Sequence, residues 1–149
     1  MTEYVRMIMF GGFLLTAAAE DMRHRKVSRR LLLTAAVCGI PWGLRGAFCG
    51  CAASFAAGFL PGAMLLLLSR LSQGAVGSGD GMFFLAAALY LPADELFGLF
   101  FGGMMLCGLY SAAVIAKRIF SNRSARSCRV AFLPFLVPVW FLQAVSGYR

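Results

Sequence analysis

The sequence predicts an all-α, polytopic membrane protein with about six transmembrane helices. Hydrophobic residues make up 60% of the 149 positions, charged residues make up only 13%, and the mean hydropathy is +0.79. A soluble domain usually carries about 25% charged residues. At about 20 residues per span, this length holds roughly six spans and no additional soluble domain. Residues 1–149 are therefore expected to form a single membrane-embedded domain.

Six apolar segments support this prediction. In chain order they cover residues 5–19, 31–44 (interrupted by Pro41), 47–69, 82–91, 96–116 and 130–145. The fourth is unusually short, because ten helical residues rise only about 15 Å, half the thickness of the hydrocarbon layer. A spanning helix must therefore begin near Ser78 or Gly79, which brings Asp80 to the membrane surface.

The basic residues predict the orientation. Eleven of the fourteen Lys and Arg residues lie in the loops after the first, third and fifth segments. The positive-inside rule puts these loops in the cytoplasm and the N-terminus outside, which gives a multi-pass protein of the inner or plasma membrane. Charge divided among alternate loops argues against nucleic-acid binding, which needs a basic face of its own. A cleaved signal peptide ending near Ala17–Ala19 is the alternative for the first segment.

Two aspartates stand at the cytoplasmic ends of apolar segments. A carboxylate at membrane depth costs about 2.5–3.5 kcal/mol on insertion scales, which makes both Asp21 and Asp80 functional candidates. Asp80 lies in the run Gly77-Ser78-Gly79-Asp80-Gly81, where glycines permit positive φ angles and close approach of another chain. For Asp21, a purely structural role as a helix cap or as a counter-charge to the basic loop stays open.

Two such carboxylates brought together predict acid–base hydrolysis. Like charges a few ångströms apart cannot both ionise easily, so the pair holds one proton. One member then activates water while the other polarises a carbonyl, without any cofactor or metal. The five cysteines have no zinc spacing, and His24 in its basic loop is expected to be solvated. The phosphate-binding pattern GxxxxGK[ST] is also missing.

These residues resemble a known family. Gly77-Ser78-Gly79-Asp80 resembles the GxGD signature of intramembrane aspartic proteases, and residues 21–28 and 132–135 resemble two segments of the type IV prepilin peptidases. The resemblance implies an aspartic endopeptidase that removes the leader peptide of pilin, pseudopilin or preflagellin-like substrates at the cytoplasmic face. Asp21 and Asp80 would be catalytic, and Gly77, Ser78, Gly79 and Gly81 would form the active-site loop.

The chain departs from that family at several positions. Ser28-Arg29 stands where many relatives have Pro-Asn, and Met82 stands where they commonly have Lys. Nothing corresponds to the N-terminal insertion with paired cysteines and methyltransferase activity, so a peptidase-only form is expected. A catalytically inactive homologue, or a small membrane transport or assembly protein, is the alternative. A transporter would show internal repeats, which the sequence lacks. The oligomeric state and the particular prepilin are not specified by the sequence.

Overall fold

The computed structural model describes residues 2–24, 27–48, 52–72, 77–120 and 131–146. All regular elements within these ranges are helical, which confirms the all-α class. They are α1 (Thr2–His24), α2 (Arg29–Phe48), α3 (Ala52–Gly58), α4 (Leu60–Leu71), α5 (Ser78–Ala87), α6 (Ala93–Phe120), a 3₁₀ turn (Leu133–Phe135) and α7 (Leu136–Ser146).

Each predicted apolar segment contains helical residues, but the segment and helix boundaries differ: α5 ends at Ala87, before the predicted end at residue 91. The fourth becomes α5, which begins at Ser78 as expected. The third becomes α3 and α4, separated at Phe59, whose N–H bonds to the Ala56 carbonyl over 3.2 Å in a tight turn just before Pro61. The Pro41 that interrupts the second apolar segment lies inside a continuous helix, because α2 extends through it to Phe48.

Two helical stretches of the described chain are long and apolar enough to cross a membrane. They are Ala52–Leu71, which combines α3 and α4, and Ala93–Lys117 within α6. Large apolar side chains on α6 point away from the protein, with Phe101, Met105 and Leu109 each 62–71% exposed. Extended apolar surface of this kind is typical of a face that contacts lipid or a partner. Spanning by the other four stretches stays a prediction.

Helix α5 is the centre of the fold. Its neighbouring residues Phe83 and Phe84 are completely buried, as are Phe10 of α1 and Leu99 of α6. The rings of Phe13 and Phe83 stack with their centroids 4.9 Å apart, which joins α1 to α5. Because Asp80 lies at the start of α5, its position depends on the packing of this buried helix.

Helices α4 and α5 approach each other closely through two glycines. A Cβ at Gly62 of α4 would lie 2.8 Å from Leu85 Cγ, and a Cβ at Gly81 of α5 would lie 2.8 Å from Leu66 Cγ. The pairing is reciprocal, as expected for antiparallel helices in which each glycine admits a leucine of the other. Small residues allow this kind of backbone approach in membrane proteins.

Candidate active site

Asp21 lies near the end of α1 and is almost fully enclosed, with 7% of its surface exposed. Its Oδ2 accepts a hydrogen bond from the backbone N–H of Leu133 over 3.2 Å. The backbone N–H of Phe132 is a second donor to the same carboxylate. These amides are available because the first N–H groups of a helical turn have no partner within the turn. Asp21 is therefore held by the start of the 3₁₀ turn Leu133–Phe135.

Asp80 is the third residue of α5 and is partly buried. Its backbone N–H donates to the Gly77 carbonyl over 3.2 Å, which closes the turn that starts the helix. A carboxylate in the first turn faces the positive end of the helix dipole. The local sequence thus directs this side chain to the helix end at which α1 and the 3₁₀ turn also meet.

The glycines around Asp80 allow neighbouring atoms to approach closely, and their backbone conformation is not unusual. Gly77 is extended, with φ −66° and ψ 122°, and neither Gly79 nor Gly81 has a positive φ. Of the two properties that glycine permits, the structure therefore uses close approach at these positions. At Gly81 a larger residue is disfavoured sterically, because a Cβ would also lie 3.0 Å from the backbone nitrogen of Leu66.

The other two glycines border the site itself. A Cβ at Gly77 would lie 3.2 Å from Asp80 Oδ2, so its absence leaves room for the carboxylate. A Cβ at Gly79 would lie 3.9 Å from Val27, an ordinary contact with the segment that follows Asp21 in the chain. The side chain of Ser78 is exposed. The two predicted catalytic segments therefore meet at Gly79 and Val27.

Asp21 and Asp80 lie within electrostatic reach of each other. Asp21 follows the apolar segment 5–19 and Asp80 precedes the apolar segment 82–91, so both carboxyl groups lie outside these segments. Burial raises the pKa of Asp80 to about 7, and the nearby charge of Asp21 contributes to this rise. Burial also raises the pKa of Asp21, while hydrogen bonds from backbone amides oppose the increase. The pair can therefore hold one proton near neutral pH, and that proton belongs to the pair as a whole.

Glu20 organises the chain between the two aspartates. Its Oε2 accepts a 2.8 Å hydrogen bond from the backbone N–H of Ser28, which links the two ends of the connection between α1 and α2. Residues 25 and 26 of that connection lie outside the described residues. The bond holds Val27 at the place where it contacts Gly79, so Glu20 supports the arrangement of the site.

Cys107 is a neighbour of the site that sequence reasoning missed. This α6 residue lies within electrostatic reach of Asp80, and its thiol is hydrogen-bonded to Ser111. No periodic pattern could have found it, because α6 is apolar around most of its circumference. Within the ranges that the structure describes, no three His, Cys, Asp or Glu side chains are grouped closely enough to hold a metal ion.

An apolar groove opens between α2 and α5. Its volume is about 300 Å³, within the lower range of ligand pockets. Its lining consists of Arg29, Leu32, Leu33, Ala36, Met82, Leu85 and Ala86. Met82 lies two positions after Asp80 on α5, but neither Asp21 nor Asp80 is among the residues that line the groove.

Comparison with known proteins identifies the family. The family model for type IV leader peptidases matches residues 8–112, a stretch that includes Asp21, Asp80 and the surrounding glycines. No curated protein and no solved structure matches the chain. The 3₁₀ turn that holds Asp21 lies beyond the matched residues. Because the match covers well over half of the sequence, this protein belongs to the type IV leader peptidase family.

Proposed function

We propose that this protein is an aspartic endopeptidase that removes the leader peptide from prepilin-like membrane substrates. The observation that carries the proposal is the approach of Asp21 and Asp80, which are far apart in the sequence and lie on different helices. Membership of the type IV leader peptidase family supports it. Asp21 and Asp80 are the catalytic pair, and Gly77, Ser78, Gly79 and Gly81 form the active-site loop.

The proposed reaction needs only water and the two carboxyl groups. One carboxylate takes a proton from water, whose oxygen attacks the scissile carbonyl carbon. The protonated carboxyl donates a hydrogen bond to the carbonyl oxygen, which becomes negatively charged. The tetrahedral intermediate then collapses, the C–N bond breaks, and the leaving amine takes a proton from the pair. The raised pKa of Asp80 supports its assignment as the acid.

The proposed orientation puts this reaction at the cytoplasmic face. Asp21 is followed by Arg23 in the last turn of α1, and Asp80 follows the end of α4, which carries Arg70. Basic residues near membrane helices favour the cytoplasmic side. Six spans of a single domain would then surround the site within the inner or plasma membrane. The apolar helix of the substrate lies in the bilayer, with its polar junction at the depth of the carboxylates.

A cleavage assay tests the proposal. The purified full chain, in detergent or liposomes, is mixed with prepilin-like substrates and compared with Asp21→Asn and Asp80→Asn, which remove a carboxyl group with little change in volume. Asp94→Asn is the matched control, because Asp94 is an exposed carboxylate in the first turn of α6.

We expect the wild type and Asp94→Asn to release the leader, while both other variants fold but fail to cleave. If all four proteins cleave equally, the catalytic pair is wrong. If none cleaves any of several prepilins, the chain is better explained as an inactive homologue.

A further inference from the structure

We infer that the 3₁₀ turn Leu133–Phe135 is a positioning element of the active site, whose backbone amides hold Asp21 as the ionised member of the pair. The inference rests on the proposed function, because it assigns the two carboxyl groups to different steps of that reaction. It concerns a part of the chain beyond residues 8–112, the range of the family match.

The turn has no side-chain cap of its own. Phe132 is its N-cap residue and makes no side-chain capping bond, and Pro134 has no N–H to satisfy. The free N–H groups of Phe132 and Leu133 are directed at Asp21 instead. Asp21, supplied by α1, therefore takes the place that a Ser or Asp side chain usually has at the start of a helix.

The turn is held firmly in position. Leu133 and Leu136 are completely buried, and the Phe135 N–H donates to the Phe132 carbonyl over 3.1 Å. The Leu136 side chain packs directly over Gly103 of α6, where a Cβ would clash with it. Because the turn is fixed from both sides, its amides can restrict the rotation of the Asp21 carboxylate.

The two carboxyl groups therefore have different surroundings. Hydrogen bonds from two backbone amides favour the ionised form of Asp21. In the described part of the chain, no hydrogen bond to the Asp80 carboxylate is found, and Cys107 of α6 is the further titratable side chain within its electrostatic reach. This asymmetry makes Asp21 the group that accepts a proton from water and Asp80 the group that donates to the carbonyl.

Replacement of one backbone amide by an ester tests the inference without changing a side chain. Incorporation of the α-hydroxy analogue of leucine at position 133 removes the N–H that donates a hydrogen bond to Asp21. The matched control is the α-hydroxy analogue of phenylalanine at position 135, which removes the bond to the Phe132 carbonyl but leaves the Asp21 donors intact.

The readouts are the pH dependence of kcat/KM and the titration of the Asp21 carboxyl, followed by carbon-13 NMR. We expect the ester at position 133 to lower kcat by about tenfold to a hundredfold, as for a lost hydrogen bond to a charged group. The acidic limb of the profile and the Asp21 titration should both move upward by about one pH unit. The ester at position 135 should change neither the acidic limb of the profile nor the Asp21 titration.

Three outcomes separate the possibilities. If the two esters behave alike in both readouts, the inference is overturned. If the Asp21 titration moves at position 133 although even the wild type cleaves no prepilin, the amides do hold Asp21 ionised and the proposed function fails. If the wild type cleaves but the Asp21 titration is the same with and without the ester, the inference fails while the proposed function stands.

Discussion

The hydroxyl of Tyr90 donates a 2.6 Å hydrogen bond to the backbone carbonyl of Ala35. Tyr90 follows α5 and is only 3% exposed, while Ala35 lies in α2. A Cβ at Gly39, one turn further along α2, would lie 2.8 Å from the Tyr90 ring. The far end of the helix that carries Asp80 is therefore attached to α2 by a buried hydrogen bond and by close packing.

Removal of the Tyr90 hydroxyl should lower the stability of the folded protein. Tyr90→Phe keeps the ring in its pocket and loses only the bond to Ala35, so we expect the free energy of unfolding to fall by about 1 kcal/mol. Tyr110→Phe is the control, because that residue is 51% exposed on α6. Denaturant unfolding in detergent micelles measures both. Equal losses in the two variants would contradict a specific contribution from the Tyr90–Ala35 bond.

Two glycines beside Asp80 should respond differently to the addition of one methyl group. In Gly81→Ala the new Cβ meets Leu66, including its backbone, so α4 and α5 must separate. We expect a loss of about 1–3 kcal/mol in stability together with reduced cleavage. Gly79→Ala makes only an ordinary contact with Val27, and its stability should stay near that of the wild type. Thermal unfolding and cleavage of both variants provide the check, and similar stabilities would disprove the steric argument.

The pH dependence of cleavage should follow the carboxyl pair. Because burial raises the pKa of Asp80 to about 7, we expect kcat/KM to decrease as the pH rises through about 7 and the donating proton is lost. A rate that stays constant from pH 6 to pH 9 would exclude Asp80 as the acid.

Stability should depend on pH through the same group. The pKa of Asp80 in the folded protein is about 7, well above the ordinary value of an aspartate, so the folded state binds more protons than the unfolded state between about pH 4 and pH 7. The free energy of unfolding should therefore decrease as the pH rises through this window. Asp80→Asn removes the group, and its stability should change less with pH. Asp94→Asn, the exposed control, should retain the full pH dependence.

Position 82 offers a test of the departure from the family pattern. Met82 is 40% exposed and lines the apolar groove between α2 and α5, so a longer polar side chain fits there. Met82→Lys brings a positive charge near Asp80, which should lower the pKa of that carboxyl and move the alkaline limb of cleavage to lower pH. Met82→Leu adds no charge and should leave the limb in place. Identical profiles for the two variants would mean that position 82 has no influence on the pair.

Much of this protein follows from local properties of the sequence. Long apolar runs dictate helices, so the all-α class and the approximate positions of the helical stretches could be predicted. The short fourth segment required a start near Ser78, and α5 does begin there. Asp21 and Asp80 were recognisable because ionisable residues are rare next to apolar segments and therefore need an explanation.

Other features depend on how the helices pack. The amides that hold Asp21 belong to the backbone, so no residue type marks them, although Pro134 hints that a helical turn begins there. The roles of Gly81 and Cys107 depend on the separation and rotation of α4, α5 and α6. When a helix is apolar on most sides, its sequence does not show which side faces the neighbouring helices. The sequence by itself thus singled out Asp21 and Asp80 as candidates, whereas only the tertiary structure decided which groups surround each of them.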